Sequence, residues 1–179
     1  MVATRLWYDA RMFWRMTKSV LILPGSALIY IPIITQWISD GWPFGPLLGN
    51  ASDRVFAAIL AVPAFVLAVK TMALFVKQGE GTPAPWDPPR KFVVSGPYRH
   101  MRNPMLTSVV VMILAEAVAL RSLALLGWAL LFFLLNTAYF YLSEEPELER
   151  RFGDAYRDYK ASVPRWIPKV RPYLAPKDY

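Results

Sequence analysis

The chain has 179 residues, 55% of them hydrophobic, with no cysteine and one histidine. That length allows one compact unit, and its apolar runs are too long for a soluble core, so an integral membrane protein is expected. Disulfides, thiolate metal sites and a histidine-built metal centre are excluded, and although 20 Lys and Arg outnumber 13 Asp and Glu, the cations cluster beside apolar runs without a base-stacking module, which points to membrane topology and not to nucleic acid.

In chain order, the segment from Met1 to Val20 is basic and aromatic, and the apolar run after it holds Pro24 and Pro32 without a small-residue cleavage site. It is expected to be a retained cytosolic segment. Four apolar stretches follow, about Val20 to Ile38, Val55 to Val76, Pro104 to Leu120 and Leu123 to Leu142, each near the ~20 residues a helix needs to cross the hydrocarbon. Only Arg121 and Ser122 separate the last two, which predicts a tight antiparallel hairpin. Four cations precede the first span, five lie between the second and third, and eight follow the fourth; the other loops hold only Arg54 and Arg121. This 17 to 2 bias places both termini and the loop from Lys77 to Arg102 in the cytosol.

The loop from Gly79 to Gly96 carries Pro83, Pro85, Pro88 and Pro89 and is expected to be an ordered, non-helical excursion. Beyond the fourth span, Leu148, Phe152, Tyr156 and Tyr159 recur at helical spacing among charged residues, predicting a cytosolic amphipathic helix on the membrane surface or over the site. The fold class is therefore an all-α membrane protein of about four transmembrane helices, with a tight C-terminal hairpin and that amphipathic helix.

Three polar clusters, Gly79-Glu80-Gly81, Arg99 to Pro104, and Glu144-Glu145, each sit where an apolar segment meets a basic flank. All three are expected to face one membrane surface and build a composite polar site. Each has an ordinary reading by itself. Ser143 can cap a helix starting near Pro146, with the acids favouring its dipole; Gly-x-Gly is common in turns; and Arg102 is an interfacial topology charge by default. Glu116, inside the third span, is a functional candidate or a partner of Arg121, and Lys70 reaches water by its long stem. The seven tryptophans fit an interfacial belt.

Gly96-Pro97-Tyr98-Arg99-His100-Met101-Arg102-Asn103-Pro104, then Glu144-Glu145-Pro146-Glu147-Leu148, Phe152-Gly153, Tyr156, Tyr159 and Val163-Pro164-Arg165 together resemble the isoprenylcysteine carboxyl methyltransferase and phospholipid N-methyltransferase superfamily. The resemblance covers about the C-terminal 100 residues; the spans before Val76 match only as hydrophobic segments. It implies one membrane methyltransferase domain over residues 1–179, with S-adenosylmethionine bound by about residues 79–168 and a lipophilic or lipid acceptor: an isoprenyl carboxylate, a phospholipid amine or a similar molecule. The cofactor residues it implies are Gly79, Gly81, Tyr98, Arg102, Asn103, Pro104, Glu144 and Glu145, with Arg102, Glu145 and His100 as catalytic candidates. Asn103 stands where histidine is common, and Leu106 where a tyrosine often follows the proline.

The chemistry runs parallel to that resemblance. The cofactor is a sulfonium carrying an ammonium and a carboxylate, so its site needs anions at one end, which Glu144 and Glu145 provide. At the other end it needs a cation or free amides, which Arg102 and the start of the Pro104 helix provide. An ionised carboxylate acceptor needs no base, whereas an amine must lose a proton, for which His100, Glu145 or a tyrosine is a candidate. The competing functions are an NADPH-dependent membrane reductase of the sterol-reductase kind, against which the missing upstream spans count, and a non-catalytic membrane scaffold.

Overall fold

The computed structural model describes residues 14–15, 17–40, 49–79 and 90–174, and every regular element among them is helical. Four helices form a bundle: α1 (Thr17–Ile38), α2 (Ala51–Gly79), α3 (Pro104–Ala119) and α4 (Leu123–Phe152). A fifth, α5 (Asp154–Ser162), follows the end of α4. By length and composition α1, α2 and α4 can each cross a membrane, and α3 is a shorter apolar helix. The basic residues Arg5 and Arg11, the loop residues Glu80 and Gly81, and the prolines from Pro83 to Pro89 lie outside the described residues.

The outward faces of the bundle are apolar, with Ile29, Phe56, Ile59, Phe65, Leu130 and Leu134 all exposed. Its interior is built largely from small residues, Ala27, Ala57, Ala64, Ala115, Ala117 and Ala129, with Val109, Ile113 and Leu125 as the larger buried side chains. In lipid the hydrophobic effect does not drive one helix against another, so association depends on close backbone approach, which small side chains permit. On α2 the buried residues Ala57, Ala64 and Thr71 recur every seventh position, a stripe that lets α2 pack along α3, the most extensive helix pair in the molecule. Ala27 of α1 enters the groove between α3 and α4 beside Val109, Ile113 and Ala129.

At one end the helices are level. Gly49 N–H donates to Ala119 O at 2.8 Å, Asn50 N–H donates to the Asp53 carboxylate at 2.9 Å to start α2, and Ser122 Oγ caps α4 by accepting from Leu125 N at 3.3 Å. The hairpin of α3 and α4 turns through Arg121, whose φ of 50° is the one left-handed non-glycine conformation among the described residues. Its guanidinium pairs with Asp53 at 2.8 Å. Arg121 thus pairs across to α2 and not with Glu116, the alternative to a functional role for that acid, because the hairpin's turn faces the start of α2.

From that level end α2 continues for 29 residues but α3 for only 16, about 24 Å at 1.5 Å per residue. The N-terminus of α3, with Arg102 and Asn103 before it, thus stops well short of the far end of α2. Residues 90–103 fill the space above it. Gly96 begins a 3₁₀ turn there with φ 55° and its Cα facing Leu74, where a Cβ would approach within 3.2 Å, and Tyr98 stacks on Phe75 of α2 with ring centroids 5.3 Å apart.

Three helices contain a widened π turn: Ser26–Tyr30 in α1, Phe75–Gly79 at the end of α2 and Phe140–Glu144 in α4. Two of them end just before a proline, Pro32 and Pro146. A proline ring clashes with the carbonyl four residues back and cannot donate to it; those carbonyls, of Leu28 and Leu142, lie inside the widened turns, where i to i−5 bonding such as Ile31 N to Ser26 O and Glu145 N to Phe140 O carries the helix through. Consequently α4 runs unbroken from Leu123 to Phe152. The expected new helix capped by Ser143 does not form, and the amphipathic segment after the fourth span is divided: its first half extends α4, and the chain then turns at Gly153 (φ 56°) into α5.

The cap beyond the bundle consists of residues 90–103, α5 and residues 163–174. Its core is aromatic: Phe92 lies 5.1 Å from Phe152, 5.7 Å from Tyr156 and 5.3 Å from Tyr159 between ring centroids, with Val163 and Tyr173 packed alongside. Trp128 departs from the interfacial belt, since its indole N–H donates to Ala27 O at 3.0 Å and ties α4 to the widened turn of α1.

Candidate active site

A cavity of about 510 Å³ lies where the recessed end of α3 meets the cap. The wall toward the bundle is apolar, with Leu23 and Pro24 of α1, Phe75 of α2, Leu106 and Val109 of α3 and Phe132 of α4. On the cap side Tyr98, Arg102, Asn103, Glu144, Tyr156 and Tyr159 line it. One chamber therefore joins a greasy half to a charged one.

The two glutamates occupy different environments. Glu145 is buried, with 2% of its side chain exposed. Its Oε1 accepts from Arg102 Nη1 at 2.6 Å and from Arg165 Nε at 2.8 Å, and its Oε2 lies 3.3 Å from Lys160 Nζ, which also binds Glu149 at 2.6 Å. Glu145 is absent from the cavity wall. Glu144, one residue earlier at the end of the widened turn, is on that wall and forms no ion pair among the described residues. Adjacent helical residues point about 100° apart, so the pair splits into a free carboxylate facing the chamber and one engaged by three cations behind it.

The same cavity is lined by open donors. Arg102 Nε and Asn103 Nδ2 are buried without a hydrogen-bond partner, and both residues face the cavity. The backbone amides of these two residues are already used, Arg102 N donating to Pro164 O at 2.9 Å and Asn103 N to Arg165 O at 3.1 Å, and Pro104 has none. An anion at this wall would therefore meet side-chain donors and not the amides of residues 102 and 103. Buried unpartnered donors are costly unless a ligand completes them.

The remaining sequence candidates are distributed as follows. Tyr98 is buried on the cavity wall, and its carbonyl accepts from Tyr159 Oη at 2.7 Å. Burial raises the phenol of Tyr98 well above its ordinary range, with Tyr159 and Glu144 adding to it; burial likewise pushes Tyr156 up to about 12 and raises Tyr159 further. These phenols stay protonated at neutral pH, which makes them unsuited as bases. Pro104 starts α3 as its first residue and is fully buried. Gly79 ends the widened turn of α2, where its carbonyl receives Arg90 N at 2.7 Å, and does not line the cavity. Gly81 lies outside the described residues. His100 is not brought to the chamber: its Nδ1 lies 2.8 Å from Lys169 O, and its carbonyl accepts from Lys169 N at 3.0 Å.

The sequence offers no individual role for Lys160, Arg165 or Phe92. Lys160 and Arg165 complete the Glu145 cluster, and Phe92 joins Tyr156 and Tyr159 in the aromatic wall; the helical spacing of the two tyrosines already suggests a helix on the membrane surface or over the site.

No curated protein and no solved structure shows significant similarity to the chain. Residues 52–155, more than half of the chain, match the phospholipid methyltransferase family. The matched region covers α2, α3, α4 and the Glu144–Glu145 pair, and with the apolar helices found here it places the protein in a membrane. The chain therefore belongs to the phospholipid methyltransferase family, membrane proteins whose activity is methyl transfer to a membrane-associated acceptor.

Proposed function

We propose that this protein transfers a methyl group from S-adenosylmethionine to a lipophilic acceptor that enters from the membrane, with the site and both termini on the cytosolic side. The observation that carries the reading is the chamber itself. A free carboxylate, Glu144, and open donors on Arg102 and Asn103 line one half, and apolar side chains of all four bundle helices line the other. The 17 to 2 distribution of cations supports the orientation.

When bound, S-adenosylmethionine supplies a methyl group on a sulfonium, an electrophile that needs no activation. Glu144 would hold the ammonium of its amino-acid end, while Arg102 Nε and Asn103 Nδ2 would hold the carboxylate by charge-assisted hydrogen bonds. Glu145 acts one step back. By binding Arg102, Arg165 and Lys160 it fixes the Arg102 fork, so that its Nε is aimed and its charge is balanced. The cap's aromatic residues exclude water from the chamber, and Leu23, Leu106 and Phe132 would seat the apolar part of the acceptor beside it. Alignment of acceptor and methyl, together with exclusion of water, is the main task such a site must perform.

Calorimetric titration of detergent-purified protein with S-adenosylhomocysteine tests this reading. Saturable binding, lost in Glu144→Gln and weakened by Asn103→Leu, is expected. Silence toward this ligand, with NADPH binding instead, would overturn it.

A further inference from the structure

Residues 163–174 form a strap beside the loop that carries the site. Lys169 N donates to His100 O at 3.0 Å and Tyr173 N to Arg99 O at 2.8 Å, while Pro164 O and Arg165 O take the amides of Arg102 and Asn103. The strap begins at the level of the bundle: the Trp166 ring packs on Phe133, 4.9 Å between centroids, and on Phe140. Phe133 and Phe140 are about two helical turns apart on α4. From there the strap displays Ile167, Val170 and Leu174, which are 78%, 94% and 72% exposed. Arg171 lies between them and has no ion-pair partner among the described residues. The outer face of α5 is different: its exposed residues are Asp154, Arg157, Asp158, Ala161 and Ser162, with no large apolar side chain among them, so the cap has one greasy cationic edge and one mainly polar edge.

Three apolar side chains this exposed, starting from a tryptophan already seated against a membrane helix, match the composition of a segment lying in a lipid interface. We propose that residues 166–174 insert into the headgroup layer of the leaflet adjoining the site, with Ile167, Val170 and Leu174 at the acyl boundary and Arg171 against anionic lipid phosphates. The partner is thus an anionic lipid surface. Because the same strap brings Arg165 to Glu145 and holds the backbone of Arg102 and Asn103, contact with the leaflet positions the site. The inference is independent of which cofactor the chamber takes.

The chain lacks cysteine, so single labels are clean. Val170→Cys carrying an environment-sensitive fluorophore, in nanodiscs of phosphatidylcholine with or without phosphatidylglycerol, is compared with Asp158→Cys on α5. Expected are blue-shifted emission at 170 that brominated acyl chains quench, a larger shift with phosphatidylglycerol, loss of that increment in Arg171→Glu, and water-like emission at 158 throughout. Water-like emission at 170 overturns the proposal. A shift at 170 that ignores lipid charge overturns the anionic assignment, and a disulfide-linked Val170→Cys dimer assigns this edge to a second copy of the chain instead.

Discussion

The bundle and the cap solve the same packing problem by opposite means. In the bundle, alanines and a threonine line the helix contacts around a few larger side chains such as Ile113 and Leu125, while most large apolar side chains face outward, so stability comes from close fit and from backbone bonds satisfied within each helix. In the cap, large aromatics are inside and a buried carboxylate gathers three cations. The chamber lies on the seam. The difference teaches that the bundle tolerates polar gaps poorly but needs few specific contacts, whereas the cap depends on a small number of charged and glycine positions.

The sharpest way to break the comparison is to remove the hub of the cap. Glu145→Ala leaves Arg102, Arg165 and Lys160 without their shared acid, and breaking a buried ion pair by removing one partner costs roughly 3–5 kcal/mol. Thermal unfolding in detergent should show a large drop, whereas Glu144→Gln, which deletes no ion pair, should leave the melting temperature nearly unchanged and abolish ligand binding. Equal destabilisation by both would mean that the two acids are not divided as described.

In the bundle the corresponding injury is steric. Ala129 is 1% exposed in the groove where Ala27 docks, and Ala129→Leu should cost about 1–3 kcal/mol by overpacking. The reverse change next to it, Leu130→Ala, is on the outward face and should be close to neutral in detergent melts.

One substitution type should have opposite signs in the two regions. Gly153 sits at φ 56°, ψ −130° between α4 and α5, so Gly153→Ala should destabilise by roughly 1–3 kcal/mol despite open space around it. Gly127, within α4 and also without neighbours within 4 Å, should gain about 0.5–1 kcal/mol on replacement by alanine. Chemical denaturation of the two variants checks both signs.

A further expected effect is alkaline. Burial holds Tyr156 at about 12, above the ordinary tyrosine value of 10.0, so the folded cap keeps a proton that the unfolded chain releases first. Its contribution is present below the ordinary value and is lost as pH rises from there through about 12. Lys160, raised chiefly by its hydrogen bond to Glu149, acts in the same sense: its contribution is full below the ordinary lysine value and is lost above it. The share of the tyrosinate absorbance that comes from the buried cap tyrosines should therefore rise late and together with loss of the cap's near-ultraviolet dichroism.

Much of the architecture was legible because the relevant physics is local. Run length marked the helices, and two residues between Leu120 and Leu123 left room only for a hairpin. The family resemblance rested on spacing that the match over residues 52–155 also carries. The site was legible in part. Arg102, Asn103, Tyr98 and Glu144 do meet at one chamber, but His100 turns to Lys169 and Gly79 serves the returning loop, because a motif lists neighbours in the chain without stating which way each side chain points.

What the sequence by itself determined is the solvent and the order of parts: apolar runs require lipid, and the polar clusters fall between them. Only the tertiary structure decided that α3 stops short beside a longer α2 and leaves a chamber above it. The same holds for α4, which passes its proline through a widened turn and aims Glu144 inward and Glu145 at Arg102, Arg165 and Lys160. Those outcomes depend on helix rotation and relative height, which are set by how small residues on neighbouring helices fit together and which no single segment encodes.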